Sequence, residues 1–258
     1  MKVTVCQINP SPGYLDACLV ELANHAIQEN SDFVLLPEMG FFEWLAADPV
    51  ATSERWEQSI HAHDQYIRSL DRLGVETVMG TRPIINAAGS RRNQAYVWNR
   101  ETKHAIGFHE KYYLPNESGY WESNWYERGL KSFDVAHIGQ AITGVQICTE
   151  MWFFEWARHY AASGADMVCV PRATPHGSTE KWLSGGQALA VCSGAYSLSS
   201  NLWCPADGIA DLGGLAWVVD PEGNILAQTD EDHPYATVDI DLDFSKRSKS
   251  TYPRYVAP

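Results

Sequence analysis

Ser31-Asp32-Phe33-Val34-Leu35-Leu36-Pro37-Glu38 is echoed later in the chain by Ala165-Asp166-Met167-Val168-Cys169-Val170-Pro171-Arg172. Both are short apolar runs of the kind that form strands buried on two faces. Each follows a strand and a helix, 3–8 with 16–29 in one case and 142–147 with 154–164 in the other. Two strand–helix–strand units, each ending Asp-x-Val-x-x-Pro, point to two similar half-sheets packed face to face; a chance likeness of apolar strands is the alternative. Further strands are predicted over 75–81, 94–99, 103–109, 133–137, 196–201, 215–219 and 236–240, and helices over 52–73 and 179–192. This alternation indicates an α/β fold with helices covering sheet faces.

No low-complexity linker or charge block divides the 258 residues, so 1–258 reads as a single domain. With 45% hydrophobic residues it is large enough to bury one continuous core. The formal net charge of −13 works against binding to nucleic acid or an anionic membrane surface. Met1-Lys2-Val3-Thr4-Val5-Cys6 enters a strand pattern directly, without a secretory leader, and no apolar run approaches the ~18 residues that span a bilayer. A cytoplasmic protein is expected. Six cysteines include no Cys-x-x-Cys pair, and Cys6, Cys18, Cys169 and Cys192 sit in apolar runs as small hydrophobes. His61-x-His63 falls on a predicted helix, where residues two apart face different ways, so no metal or other cofactor is expected.

Three residues carry the chemistry. Cys148 stands between the strand 142–147 and a helical stretch, where free backbone N–H groups stabilise a thiolate or receive an oxyanion. Glu38 ends the apolar run after Pro37, and a carboxylate there has a raised pKa suited to a general base, or else it is a helix cap or loop acid. Lys111 lies between His109-Glu110 and Tyr112-Tyr113-Leu114-Pro115, a setting that holds an ammonium in a pocket if the residue is not simply solvated.

Taken together, Leu35-Leu36-Pro37-Glu38, Lys111-Tyr112-Tyr113-Leu114-Pro115 and Ile147-Cys148-Thr149-Glu150 resemble the nitrilase superfamily of carbon–nitrogen hydrolases. The resemblance extends to the opening strand with Gln7 and to Arg158-His159-Tyr160 through Asp166. It implies a four-layer αββα sandwich of two mixed sheets with helices outside. It also implies a homodimer or higher oligomer, with the C-terminal tail 241–258 at the interface. The implied roles are Glu38 as base, Cys148 as nucleophile, and Lys111 with the Thr149 N–H at the oxyanion. Glu122, with Glu117 as a weaker candidate, would complete the catalytic set.

The neighbourhood is aromatic, and Trp152, Phe42 and Trp121, with Thr149, are the expected substrate-binding residues. An apolar or aromatic small-molecule carboxamide is the expected substrate, since Thr149 stands where true nitrilases tend to carry Trp. An N-carbamoyl amino acid would need a cation for its carboxylate, for which Arg172 or Lys181 is available. Two readings of other classes are a Cys148–His109 or Cys148–His159 protease-like dyad and a catalytically silent binding protein.

Overall fold

The structure is a computed structural model and describes residues 1–206, 208 and 210–256. Its first half runs β1 Lys2–Ile8, α1 Leu15–Glu29, β2 Phe33–Leu35, α2 Ser53–Ile67, β3 Thr77–Ile85, β4 Arg91–Asn99 and β5 His104–Glu110. The second runs α3 Glu122–Trp125, β6 Ala136–Ile138, β7 Ala141–Val145, α4 Glu155–Ala162, β8 Met167–Arg172, α5 Thr179–Ser193, β9 Tyr196–Leu202, β10 Trp217–Val219 and β11 Ile225–Gln228. β12 Tyr235–Asp239 and α6 Leu242–Ser248 follow.

The echo between residues 31–38 and 165–172 is a real topological repeat. One sheet has the order β12-β1-β2-β3-β4-β5, with β1, β2 and β3 parallel and their neighbours antiparallel. The other has the order β6-β7-β8-β9-β10-β11, again with a parallel trio at its centre. The sheets join at one corner, where Gln7 and Ile8 of β1 pair with Asn201 and Leu202 of β9.

Alternation along each strand sets the layers. Val3, Val5, Phe33 and Leu35 pack in one cluster with Met167, Cys169 and Leu198 of the facing sheet. Their neighbours Cys6, Ile8, Val34 and Leu36 instead meet Leu22 and Ala26 of α1 and Ile67 of α2. On the far side, Gly144 lies so close to the Tyr160 ring of α4 that a Cβ would stand 2.6 Å from it. The result is the αββα sandwich, helices outermost. No helix among the described residues is long and apolar enough to cross a membrane.

Departures from the expected elements have local causes. The strand expected over 32–37 closes at Leu35: Leu36 still donates to the Met79 carbonyl at 2.8 Å, but Pro37 has no N–H to continue the ladder. The helix over 52–73 is capped by the Thr52 hydroxyl but stops at Ile67, and a separate turn Leu70–Leu73 ends at Gly74 in the left-handed region. The stretch 241–258 is not all tail. The Asp241 carboxylate caps α6, Ser245 and Ser248 are buried, and Arg254 is buried with Nη2 2.5 Å from Glu222. Residues 257 and 258 of that stretch lie outside the described residues.

Candidate active site

Three loops bring the expected residues to one place, at the carboxyl ends of β2, β5 and β7. Glu38, Lys111 and Glu122 are completely buried, and Cys148 is 3% exposed. Lys111 Nζ lies 2.7 Å from Glu38 Oε1 and 2.6 Å from Glu122 Oε2, so one ammonium bridges two carboxylates. The Cys148 thiol donates to the Ala173 carbonyl, with sulfur and oxygen 3.9 Å apart, and Glu38 Oε2 has no hydrogen-bond partner among the described residues. Cys148 itself has φ +50°, the left-handed region, at the head of a tight turn Cys148–Trp152. A non-glycine residue held there costs about 1–3 kcal/mol and needs support from its surroundings.

Burial pushes Glu38 up to about 7; the Lys111 charge opposes this, the Glu122 charge adds to it, and the hydrogen bond from Lys111 partly offsets it. Burial also raises Glu122, against the pull of Lys111 and its hydrogen bonds from Lys111 and the Tyr126 hydroxyl. Burial alone would lower Lys111, but the carboxylates of Glu122 and Glu38 overcome it and hold the ammonium charged. The Cys148 thiol is raised by burial first and by the Glu38 charge second, with Lys111 only partly compensating. Burial thus outweighs the backbone N–H groups that favour a thiolate, and the resting sulfur is a neutral thiol.

Two further partners were not singled out from the sequence. Asn93 on β4 donates through Nδ2 to Glu38 Oε1 at 2.7 Å, and nothing in a strand pattern marks a buried asparagine as functional. The Tyr126 hydroxyl donates to Glu122 Oε2. Its i,i+4 spacing from Glu122 was a usable clue.

Beside the thiol opens a cavity of about 270 Å³ lined by Cys148, Thr149, Trp152, Glu122, Tyr120 and Trp182, with Glu117 and Lys181 also on its wall. Thr149 and Trp152, two of the expected substrate-binding residues, line this cavity. Phe42 and Trp121 are not among the lining residues: Phe42 packs with Met39 and Trp44, and the Trp121 N–H donates to the Ala46 carbonyl. Arg172 is fully buried, stacked 4.1 Å from the Trp217 ring centroid and hydrogen-bonded to Ser199, Thr174 and Leu215, so it is not free to meet a substrate. A larger cavity of about 450 Å³, lined by Trp44, Arg55 and Cys204 among others, does not include these reactive groups.

The histidines are occupied elsewhere. His109 places Nε2 2.7 Å from Glu150 Oε2 and Nδ1 2.9 Å from the Ser132 carbonyl, and His159 Nε2 lies 3.0 Å from the Phe133 carbonyl. Neither ring has a nitrogen directed at Cys148 in these contacts, which removes the dyad reading.

The sequence profile of the carbon-nitrogen hydrolase family matches residues 2–249. The chain belongs to the carbon–nitrogen hydrolase family. Among solved structures, this carbon–nitrogen hydrolase resembles one from Helicobacter pylori G27, with TM-score 0.84 and 18% identity over 99% of this chain and 94% of that one. It also resembles an amidase from Nesterenkonia sp. AN1, with TM-score 0.75 and 21% identity over 95% of each chain. Among curated relatives, the deaminated glutathione amidase of Synechocystis is 25% identical over 90% of this chain and 88% of its own length. The 2-oxoglutaramate amidase of Paenarthrobacter nicotinovorans is 29% identical over 44% of this chain, and the citrullinase of Francisella tularensis 31% over 52%. Those two matches span only 38% and 52% of the relatives' own lengths.

Proposed function

We propose that this carbon–nitrogen hydrolase is an amidase, cleaving small carboxamides through a thioester on Cys148. The observation that carries the reading is the Lys111 ammonium bridged by Glu38 and Glu122 beside a buried thiol. Because the thiol is neutral at rest, it needs a base in the attacking step. Glu38, raised to about 7 chiefly by burial, is matched to that task near neutral pH. Glu38 takes the thiol proton as sulfur bonds to the amide carbon. The carbonyl oxygen takes up the negative charge, stabilised by Lys111 and the Thr149 N–H. Glu38 then returns the proton to nitrogen, the C–N bond breaks and ammonia leaves. Water, losing its proton to Glu38, attacks the thioester and releases the acid and the free thiol. Glu122 fixes the lysine throughout; with two carboxylates on one ammonium, the group titrates as a set.

A cavity of about 270 Å³ walled by Tyr120, Trp152 and Trp182 favours a small acyl group with apolar or aromatic character. A glutamate-to-glutamine mutant of the Nesterenkonia amidase is described with acrylamide joined to its active-site cysteine by Michael addition, which supports a nucleophilic cysteine here, and several curated relatives are named as amidases, which supports an amide substrate.

Lys181 favours a second reading. It lines the cavity, its ammonium 5.7 Å from the Trp152 ring centroid, where it would meet a substrate carboxylate. That arrangement suits an N-carbamoyl amino acid or an amide whose chain ends in a carboxylate, and one relative is named citrullinase. Ammonia release measured across propionamide, phenylacetamide, N-carbamoyl amino acids and the matching nitriles tests both readings. Turnover of amides is expected. Turnover confined to carbamoyl compounds would replace the first reading with the second, and turnover of nitriles alone would overturn both.

A further inference from the structure

We propose that Glu150 is a positioning residue that bolts the Cys148 and Lys111 segments together, with His109 as its charge partner. The inference rests on the proposed catalytic roles of Cys148 and Lys111. Lys111 follows β5 in one sheet, and Cys148 follows β7 in the other. One carboxylate spans the two. Glu150 Oε2 accepts from the Ile147 N–H at 2.8 Å, the residue before the nucleophile. Its Oε1 accepts from the Tyr112 N–H at 2.7 Å, the residue after the lysine. The backbone is tied as well: the Glu150 carbonyl accepts from Gln146 Nε2 at 2.7 Å, and its N–H donates to the Ile147 carbonyl at 3.1 Å.

Glu150 is fully buried, and a buried carboxylate needs compensation. His109 provides it. Its Nδ1 faces the Ser132 carbonyl and its Nε2 the carboxylate, two acceptors that each require a proton on the ring, so the imidazole is a cation. Burial would lower its pKa, but the Glu150 charge raises it overall. His109 lies two residues before Lys111, so the ion pair ties the lysine segment to the nucleophile turn a second time. The left-handed backbone of Cys148 is thus bracketed by contacts to one side chain.

Glutamine at this position would present an N–H₂ to one of three donors and release one segment from the other. A displacement on the order of 1 Å costs about 100-fold in turnover. The test uses the full chain with Glu150→Gln and His109→Gln, confirmed folded by circular dichroism. kcat and KM are measured for ammonia release from propionamide, together with the pH profile of Cys148 alkylation by iodoacetamide. The alkylation arm needs no substrate, so it reads the geometry even where the wild type fails to turn over propionamide, an outcome that would count against the amidase reading alone.

For Glu150→Gln, kcat should fall about 100-fold with KM changed less than about threefold. The alkylation midpoint should move upward, because Lys111 no longer lowers the thiol pKa from its native distance. His109→Gln keeps one donor and loses the charge, and should show the same changes at roughly tenfold in kcat. A folded Glu150→Gln enzyme with wild-type kcat and alkylation profile overturns the proposal. If that variant does not fold, His109→Gln decides it: a wild-type alkylation profile there also overturns it.

Discussion

Replacing Lys111 by methionine removes the charge with little change in volume, and its consequences follow from the surrounding distances. Glu38 and Glu122 both contact the same Nζ, at 2.7 and 2.6 Å. Without the ammonium, two buried carboxylates are left with those oxygens no more than about 5 Å apart, a repulsion of at least about 3 kcal/mol at an effective dielectric of about 20. Removing one partner of a buried pair costs about 3–5 kcal/mol when the remaining charges stay ionised. The carboxylates respond by taking up protons, and this sets the pH dependence. In the wild type, Glu38 is raised from its ordinary 4.5 to about 7, so its protonation stabilises the fold at low pH and that contribution is gone once pH passes about 7. In Lys111→Met both carboxylates stay protonated well above 7, and stability continues to fall as pH rises through their new values. Between about pH 7 and about pH 8.5, the stability gap between wild type and variant should widen by about 1.4 kcal/mol per pH unit for each proton retained. Urea unfolding followed by tryptophan fluorescence at the two pH values reads this directly. A gap that does not change with pH, or a variant as stable as the wild type, would refute the bridged-ammonium account.

Lys111→Arg keeps the charge but replaces a compact ammonium with a planar fork that does not fit between two carboxylates at these distances, and kcat should drop about 100-fold or more; near-normal turnover would argue against the assignment. Because Glu38 must be ionised to act as base and burial raises it to about 7, kcat/KM should fall as pH drops, with a midpoint near that value. A limb centred near pH 4.5 would place the base elsewhere. Tyr252, Tyr255 and Val256 are exposed at the end of the described chain, so we predict that the chain self-associates through them and that alanine at both tyrosines lowers the mass measured by light scattering. An unchanged mass would remove the tail from the interface.

Much of this architecture was readable from residues alone because buried strands and amphipathic helices leave periodic patterns. The paired runs ending at Pro37 and Pro171 announced the two-fold sheet repeat, and the strand ends they marked are where Glu38 and Arg172 stand. Short elements were less visible. β11 and α3 carry four residues each, too few for a period to emerge, and α6 was hidden in a stretch that read as tail. Within the site, charged residues after apolar runs were conspicuous, whereas Asn93 acts through a side-chain contact across the fold that no spacing along the chain fixes. The aromatic wall shows the same limit. Trp152 and Phe42 each sit near a reactive residue in sequence, yet only Trp152 faces the cavity, while Trp182 reaches it from α5. Lys181 and Arg172 were equal candidates as cations, and burial separated them: Arg172 is spent on Ser199, Thr174 and Leu215.

The central proposal is a covalent acyl group on Cys148, and acid-quenched peptide mass spectrometry during turnover of an amide tests it most directly. The account predicts an added acyl mass on the peptide containing Cys148 in the wild type, its formation strongly slowed in Glu38→Gln, where the thiol has no base, and neither adduct nor ammonia release in Cys148→Ala. Turnover that persists in Cys148→Ala, or an acyl mass on another residue, would contradict it.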